Sequence, residues 1–241
     1  MTKNNNNNNN NNKMNKNDDW QKQLKIILNQ RRGVGNFKDY TVSEKHAKRM
    51  QQLAESVPEV YNNPSSTPRS KWFDHPNYRR NSQMPMFHVH FRQEMQSVLA
   101  YLEKAHTLSS CSGKNPYQSC KSAFWQFQGC MGGLNGHVSI EEYAWFPVFQ
   151  NLFPKVDLRF LFEDHEGLHR AEDQVMQALQ DLTDRASSFQ QEEKDNDDLE
   201  ERVVSCIQLV MDFDQQLMGH LGEEEEILMP MSLTFEKRMP L

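Results

Sequence analysis

Apolar residues recur with a helical period in four long stretches beyond about Ser82. The first, near 84–107, aligns Phe91, Met95, Val98, Leu99 and Leu102 on one stripe. The second, near 118–150, carries Phe124, Phe127 and Leu134. The third, near 157–184, carries Leu158, Leu161, Leu168, Met176 and Leu179, and the fourth, near 198–229, carries Leu199, Val203, Val210, Phe213 and Leu217. Connections near 108–117, 151–156 and 185–197 are short to moderate, and no alternating strand pattern competes. The pattern predicts an all-α protein, an up-down-up-down antiparallel four-helix bundle over 82–235. Gly132, Gly133 and Gly136 weaken the second helix, at about 1 kcal/mol each relative to Ala in a helix interior. We read that helix as continuous through them, because small residues let helices approach closely.

The chain before Ser82 is written differently. Asn4 to Asn12 is an unbroken asparagine run, too polar to bury a core and expected to be disordered. "WQKQLKIILNQ" places Trp20, Leu24, Ile27 and Leu28 on one helical face, and "SEKHAKRMQQLAESV" predicts a second, weaker helix. "NNPSSTPRSKWFDHPNYRRNSQMP" carries four prolines and reads as a linker. Residues 1–81 are therefore expected to form a low-complexity, basic extension with one or two short helices, and 236–241 a tail.

Charge sharpens this division. Residues 1–81 hold 15 Lys/Arg against 7 Asp/Glu, while 82–241 hold 12 against 26. The basic front could meet nucleic acid or an anionic surface, or dock on the acidic part behind it. We rank a nucleic-acid partner below a solvated segment and keep a protein partner through residues 1–81 as an expectation. No run approaches eighteen apolar residues, so no membrane span is expected. The first twenty residues lack a signal core. Cys111, Cys120, Cys130 and Cys206 show no C-x-x-C pairing, which favours a reducing, cytoplasmic or nuclear compartment.

The candidate chemistry lies in an echo. "GHVSIEEYAWFP" (136–147) and "GHLGEEEEILMP" (219–230) share Gly, His, Glu, Glu and Pro at the same places. Five of the nine histidines fall on the inward stripes: His88, His137, His165, His169 and His220. Residues four apart stack on one helix face, so His137 and Glu141, His165 and His169, and His220 and Glu224 point the same way. The levels agree as well. His88 lies 24 residues before position 112 and His137 lies 25 after it; His165 lies 27 before position 192 and His220 lies 28 after it. All seven groups fall within about two turns of one level, a compact site at roughly 1.5 Å per residue. His90 is the rival to His88, about 200° round the helix. Glu142 and Glu225 are one step off the inward face and read as solvated or supporting residues, and "EEEE" at 223–226 reads as a solvated face with Glu224 turned inward. Five imidazoles and two carboxylates exceed one tetrahedral zinc and suit two metals; iron fits, with manganese or zinc as alternatives.

"FHVHFR" (87–92), "HVSIEEYAWFP" (137–147), "DHEGLH" (164–169) and "HLGEEEEILMP" (220–230) together resemble the hemerythrin-like, or HHE cation-binding, family over roughly 83–232. The resemblance implies a four-helix bundle with a non-haem di-iron centre. His165, His169 and His220 would ligate one iron and His88 and His137 the other. Glu141 and Glu224 would bridge them beside an oxo or hydroxo oxygen. An open position would take dioxygen or another small ligand, with Leu217 as a candidate wall. The family's dedicated oxygen carriers place Asp five residues after the fourth-helix His, where this chain has Glu225. That departure opens iron or oxygen sensing beside carriage.

The expected function is therefore non-haem di-iron binding with reversible binding of a small ligand, or sensing, rather than catalysis. One alternative is a metal-dependent regulatory or interaction protein acting through its basic front. Another is a di-iron oxidase, for which Glu103/His106 and Glu166/His169 would be the Glu-x-x-His pairs. His106 lies 18 residues from His88, roughly 27 Å along a helix, and cannot share a layer with His169.

Overall fold

The computed structural model describes residues 11–30, 43–111, 114–188 and 193–235, the side chains of 11–18 and 193–197 excepted. Every regular element among them is helical. Helices α5 (Gln83–Ser109), α6 (Tyr117–Ile140), α8 (Arg159–Ser187) and α9 (Glu193–Leu233) cover the four periodic stretches, and α7 (Phe146–Leu152) continues α6. α5 packs on α6 and α9, and α8 packs on the same two, which closes a ring around a common interior. No helix among the described residues is long and apolar enough to cross a membrane.

That interior holds two apolar cores, and each long helix passes from one to the other. The first core contains Phe91, Leu134, Val138, Leu168, Leu217 and Leu221. The second contains Met84, Trp145, Phe146, Leu161, Ile227 and Leu228. The changeover falls at His88 on α5, at Glu141 after α6, at His165 on α8 and at 222–226 on α9. A fully buried Leu or Phe contributes about 1.5–3 kcal/mol by leaving water, so the cores hold the helices in register on both sides of this polar layer.

The extension is part of the packing. α1 (Asn11–Asn29) buries Trp20 and Leu24 in the first core, and Gln96 donates to the Leu28 carbonyl at 2.6 Å. α2 (Glu44–Ser56) starts on an N-cap in which the Ser43 hydroxyl accepts from the His46 N–H. α3 (Pro58–Tyr61), a 3₁₀ turn (Arg69–Asp74) and α4 (Tyr78–Asn81) then follow. The stretch read as a linker is thus anchored. Trp72 is buried in the second core and its indole donates to the Ser66 carbonyl; Tyr61 donates to the Ile227 carbonyl, and Asn81 to that of Ser232. Its anchors sit on short turns without a repeating period, so the prolines dominated the reading. Positions 4–10 of the asparagine run and the tail 236–241 lie outside the described residues, and Asn11 and Asn12 open α1.

The second long helix does continue through its glycines. Close approach explains only Gly133, where an added Cβ would lie 3.4 Å from Phe91 Cε1; Gly136 and Gly219 face open space. The two prolines of the echo do not end their helices. Phe146 donates to the carbonyl of Glu141, five residues back, in a π turn over Glu141–Trp145. Pro147 has no N–H to offer the preceding turn, and the wider register accommodates it. Pro230 sits inside α9. Gly136→Ala should therefore stabilise the fold by about 0.5–1 kcal/mol. Gly133→Ala should gain less, since the new methyl must settle against Phe91. Urea unfolding at matched metal content checks both, and a destabilised Gly136→Ala would show that the open space is not there.

Candidate metal centre

The polar layer gathers donor atoms from all four long segments. His88, His137, Glu141 and Glu224 each offer one atom, all within 4.8 Å of one another, and His165, His220 and Glu224 form a second such group. In the first group His88 Nε2 and His137 Nε2 are 3.0 Å apart. Glu141 Oε1 is 2.8 Å from His137 Nε2 and 3.9 Å from His88 Nε2. The other oxygen of Glu141 turns to the second group, 3.6 Å from His165 Nε2. Glu224 Oε2 is 3.4 Å from His88 Nε2 and 3.6 Å from His220 Nε2. Donors bonded to one ion at about 2.1 Å lie about 3 Å apart at a right angle and about 3.4 Å apart at a tetrahedral angle. The 3.0 Å His88–His137 and 3.4 Å His88–Glu224 approaches match these values, and the others, from 2.8 to 3.9 Å, lie within about half an ångström of them.

Hydrogen bonding accounts for only one of these approaches, that between His88 Nε2 and His137 Nε2. Glu141 and Glu224 are 0% exposed, yet none of their four carboxylate oxygens has a hydrogen-bond partner. The 2.8 Å approach of His137 to Glu141 is close in distance but lies off the hydrogen-bond direction. His165 Nε2 is likewise buried without a partner. A buried carboxylate left in this state costs several kcal/mol, so the donor set fits a bound cation.

The same strain appears in the proton equilibria. Burial opposes charge on His88, but the carboxylates of Glu141, Glu224 and Glu225 outweigh it and raise its pKa to about 10. Burial works against Glu141 as well, and the imidazoles of His137 and His88 more than offset it, holding the carboxyl below its usual range. Glu224 is pushed up by burial and by the charge of Glu141. Burial, reinforced by His165, keeps His220 well below the usual imidazole range, which favours the neutral ring with one nitrogen lone pair available.

Around the donors stands a supporting ring. Glu142 lies 2.8 Å from His165 Nδ1. Glu225 is 0% exposed and meets Arg69, Arg92 and His88 Nδ1. Burial disfavours its charge, but Arg92, then His88 and Arg69, bring its pKa down to about 2. The "EEEE" run is thus not a solvated face, because α2 and the 3₁₀ turn cover it. His46, fully buried, places its ring nitrogens 2.6 Å from Glu226 and 3.4 Å from Glu223, and Arg49 lies 3.5 Å from Glu223.

Six of the seven residues singled out in the sequence come together: His88, His137, Glu141, His165, His220 and Glu224. His169 does not. Its side chain is 48% exposed and its Nδ1 faces Glu172 at 3.3 Å. One full turn of α8 carries it past the layer occupied by His165. His90, the rival to His88, is exposed beside Glu94. Glu166 faces Arg170, and His106 meets Trp20 and Glu200, so the oxidase-type pairs do not assemble. Sequence reasoning missed Arg92, although it lies one turn after His88, and it missed His46. Arg69, on an irregular turn, left no periodic signal at all.

The fold and this donor set define a helical cation-binding protein. The family model of the hemerythrin HHE cation binding domain matches residues 81–232, and the chain belongs to that family. No curated protein and no solved structure matches the chain significantly.

Because His88 carries a proton at neutral pH in the metal-free protein, loading a cation must displace it. Apparent metal affinity should rise as pH goes from 7 to 9, towards the His88 value, whereas an unperturbed histidine would give a nearly flat profile there. Competition with a chelator across that range reads the slope, and calorimetry in two buffers reads the protons released.

Proposed function

We propose that this protein binds two iron ions in an up-down-up-down four-helix bundle, and that it reversibly binds dioxygen or a related small ligand there or senses iron or oxygen. The observation that carries the reading is the aim of Glu141, with one oxygen toward His88 and His137 and the other toward His165. A carboxylate so placed serves two ions rather than one. Glu224, near both His88 and His220, is the second shared carboxylate.

In this reading His88, His137 and Glu141 hold one ion, and His165, His220 and Glu224 hold the other. Imidazole with carboxylate suits iron, manganese or zinc, and the resemblance to hemerythrins favours iron. Bound iron would supply a redox-active centre able to take up a small ligand. The chain's own residues orient the donors, seal them between two apolar cores and leave fewer protein donors than six per ion. His169, turned to Glu172, is outside the proposed set. The free thiols of Cys111, Cys120, Cys130 and Cys206 fit a reducing compartment such as the cytoplasm or nucleus. The candidate protein-docking role of residues 1–81 is narrowed, because Arg49 and Arg69 already pair with α9.

Anaerobic loading with Fe(II), followed by air and then deoxygenation, tests the reading. Two irons per chain are expected, with oxygen-dependent absorption bands that reverse. His137→Ala and His220→Ala should each lose at least about half of the bound iron, whereas His169→Ala should keep it. Unchanged iron in the first two variants, or loss in the third alone, would overturn the assignment.

A further inference from the structure

Glu225 differs from Glu224, the other buried glutamate among the described residues of α9, in the direction it faces. Its Oε2 accepts from Arg69 Nη1 at 2.9 Å, and its Oε1 accepts from Arg92 Nη1 at 2.6 Å. The same Oε1 lies 3.0 Å from His88 Nδ1. The opposite nitrogen of that ring, Nε2, is the one that faces His137, Glu141 and Glu224. An imidazole can present its Nε2 lone pair to a cation only if the remaining proton sits on Nδ1, and an acceptor at Nδ1 selects that tautomer.

We propose that Arg69, Arg92 and Glu225 form a positioning relay for the metal centre. The two guanidinium groups hold Glu225, Glu225 accepts the Nδ1–H of His88, and Nε2 is thereby aimed at the ion. This rests on the reading of His88 as a metal ligand. The relay reaches outside the matched family domain, since Arg69 lies on the turn Arg69–Asp74, ahead of residues 81–232. Arg69 is itself well seated. It is buried, its second Nη donates to the carbonyl of Gly222, and its guanidinium lies 5.2 Å from the Trp72 ring. Trp72 in turn is buried in the second core, so the segment between α3 and α4 is fastened to the centre by a charge and by an aromatic anchor. The cation site of this chain therefore includes a part that the family domain alone does not supply.

The test uses the full chain loaded anaerobically with Fe(II), comparing Glu225→Gln, Arg69→Gln, Arg69→Lys and His88→Ala. Helicity by circular dichroism confirms folding, chelator competition gives affinity, and redox titration gives the iron reduction potential. Glu225→Gln and Arg69→Gln should weaken iron retention by about 10–100-fold. Glu225→Gln should also raise the reduction potential, because an imidazole whose N–H meets a weaker acceptor is a poorer electron donor, and Arg69→Gln should shift the potential as well, because it unfastens that acceptor and removes a nearby positive charge. Arg69→Lys should recover part of both losses. A purely structural role would lower the melting temperature and leave the potential where it was. If Glu225→Gln does not fold, Arg69→Gln decides alone. Unchanged affinity and potential in the folded variants, with iron lost in His88→Ala, would overturn the relay and leave the metal site standing. Iron retained by His88→Ala would instead overturn the site.

Discussion

A carboxylate sealed from water has to be met by a proton, a paired cation or a metal, and Glu141, Glu224 and Glu225 impose that condition on everything packed around them. Leaving one such charge unmet costs several kcal/mol, against a total stability of about 5–15 kcal/mol for an ordinary domain. The three are met differently. Glu225 is held by Arg69 and Arg92. Glu141 draws on the imidazoles of His137 and His88 for its charge, although no hydrogen bond reaches its oxygens. Glu224 has neither arginine nor hydrogen bond, and its carboxyl is driven toward the protonated form. A bound cation answers Glu141 and Glu224 together, and the aim of their oxygens shows where it would sit.

The apolar architecture explains why these groups stay where they are. The four long helices change from one hydrophobic core to the other at the level of the donors, so each helix is clamped above and below the site. The π turn over Glu141–Trp145 is the local departure that goes with this layer on the second helix. It widens the helix at Glu141 and lets the chain carry Pro147 without ending. The short helices before Ser82 complete the wall on the acidic side of α9, where His46, Arg49 and Arg69 meet Glu223, Glu225 and Glu226.

Much of this was legible in the sequence because helical periodicity carries two kinds of information at once. The stripe that locates Phe91, Met95 and Leu102 in a core also places His88 on the same face, and the i, i+4 rule pairs His137 with Glu141 and His220 with Glu224. The same rule misplaced His169. It shares a face with His165 but lies a full turn away, and a one-turn offset is enough to leave it in solvent beside Glu172. Glu225 was read as either solvated or supporting, and its own helix could not decide between them because its burial depends on a covering segment. That segment was illegible as structure: Trp72 and Arg69 stand among Pro, Ser and Asn, on turns too short to repeat a pattern. The basic charge of the front was visible, and docking on the acidic part behind it is where several of those cations go.

The central claim is that two ions share Glu141 between a His88/His137 side and a His165/His220 side. Diffraction at the iron absorption edge from crystals of the Fe(II)-loaded protein tests it most directly. The account predicts two anomalous peaks about 3.5–4 Å apart, one on each side of the Glu141 carboxylate. A single peak, or a peak coordinated by His169 with Glu141 free, would contradict it.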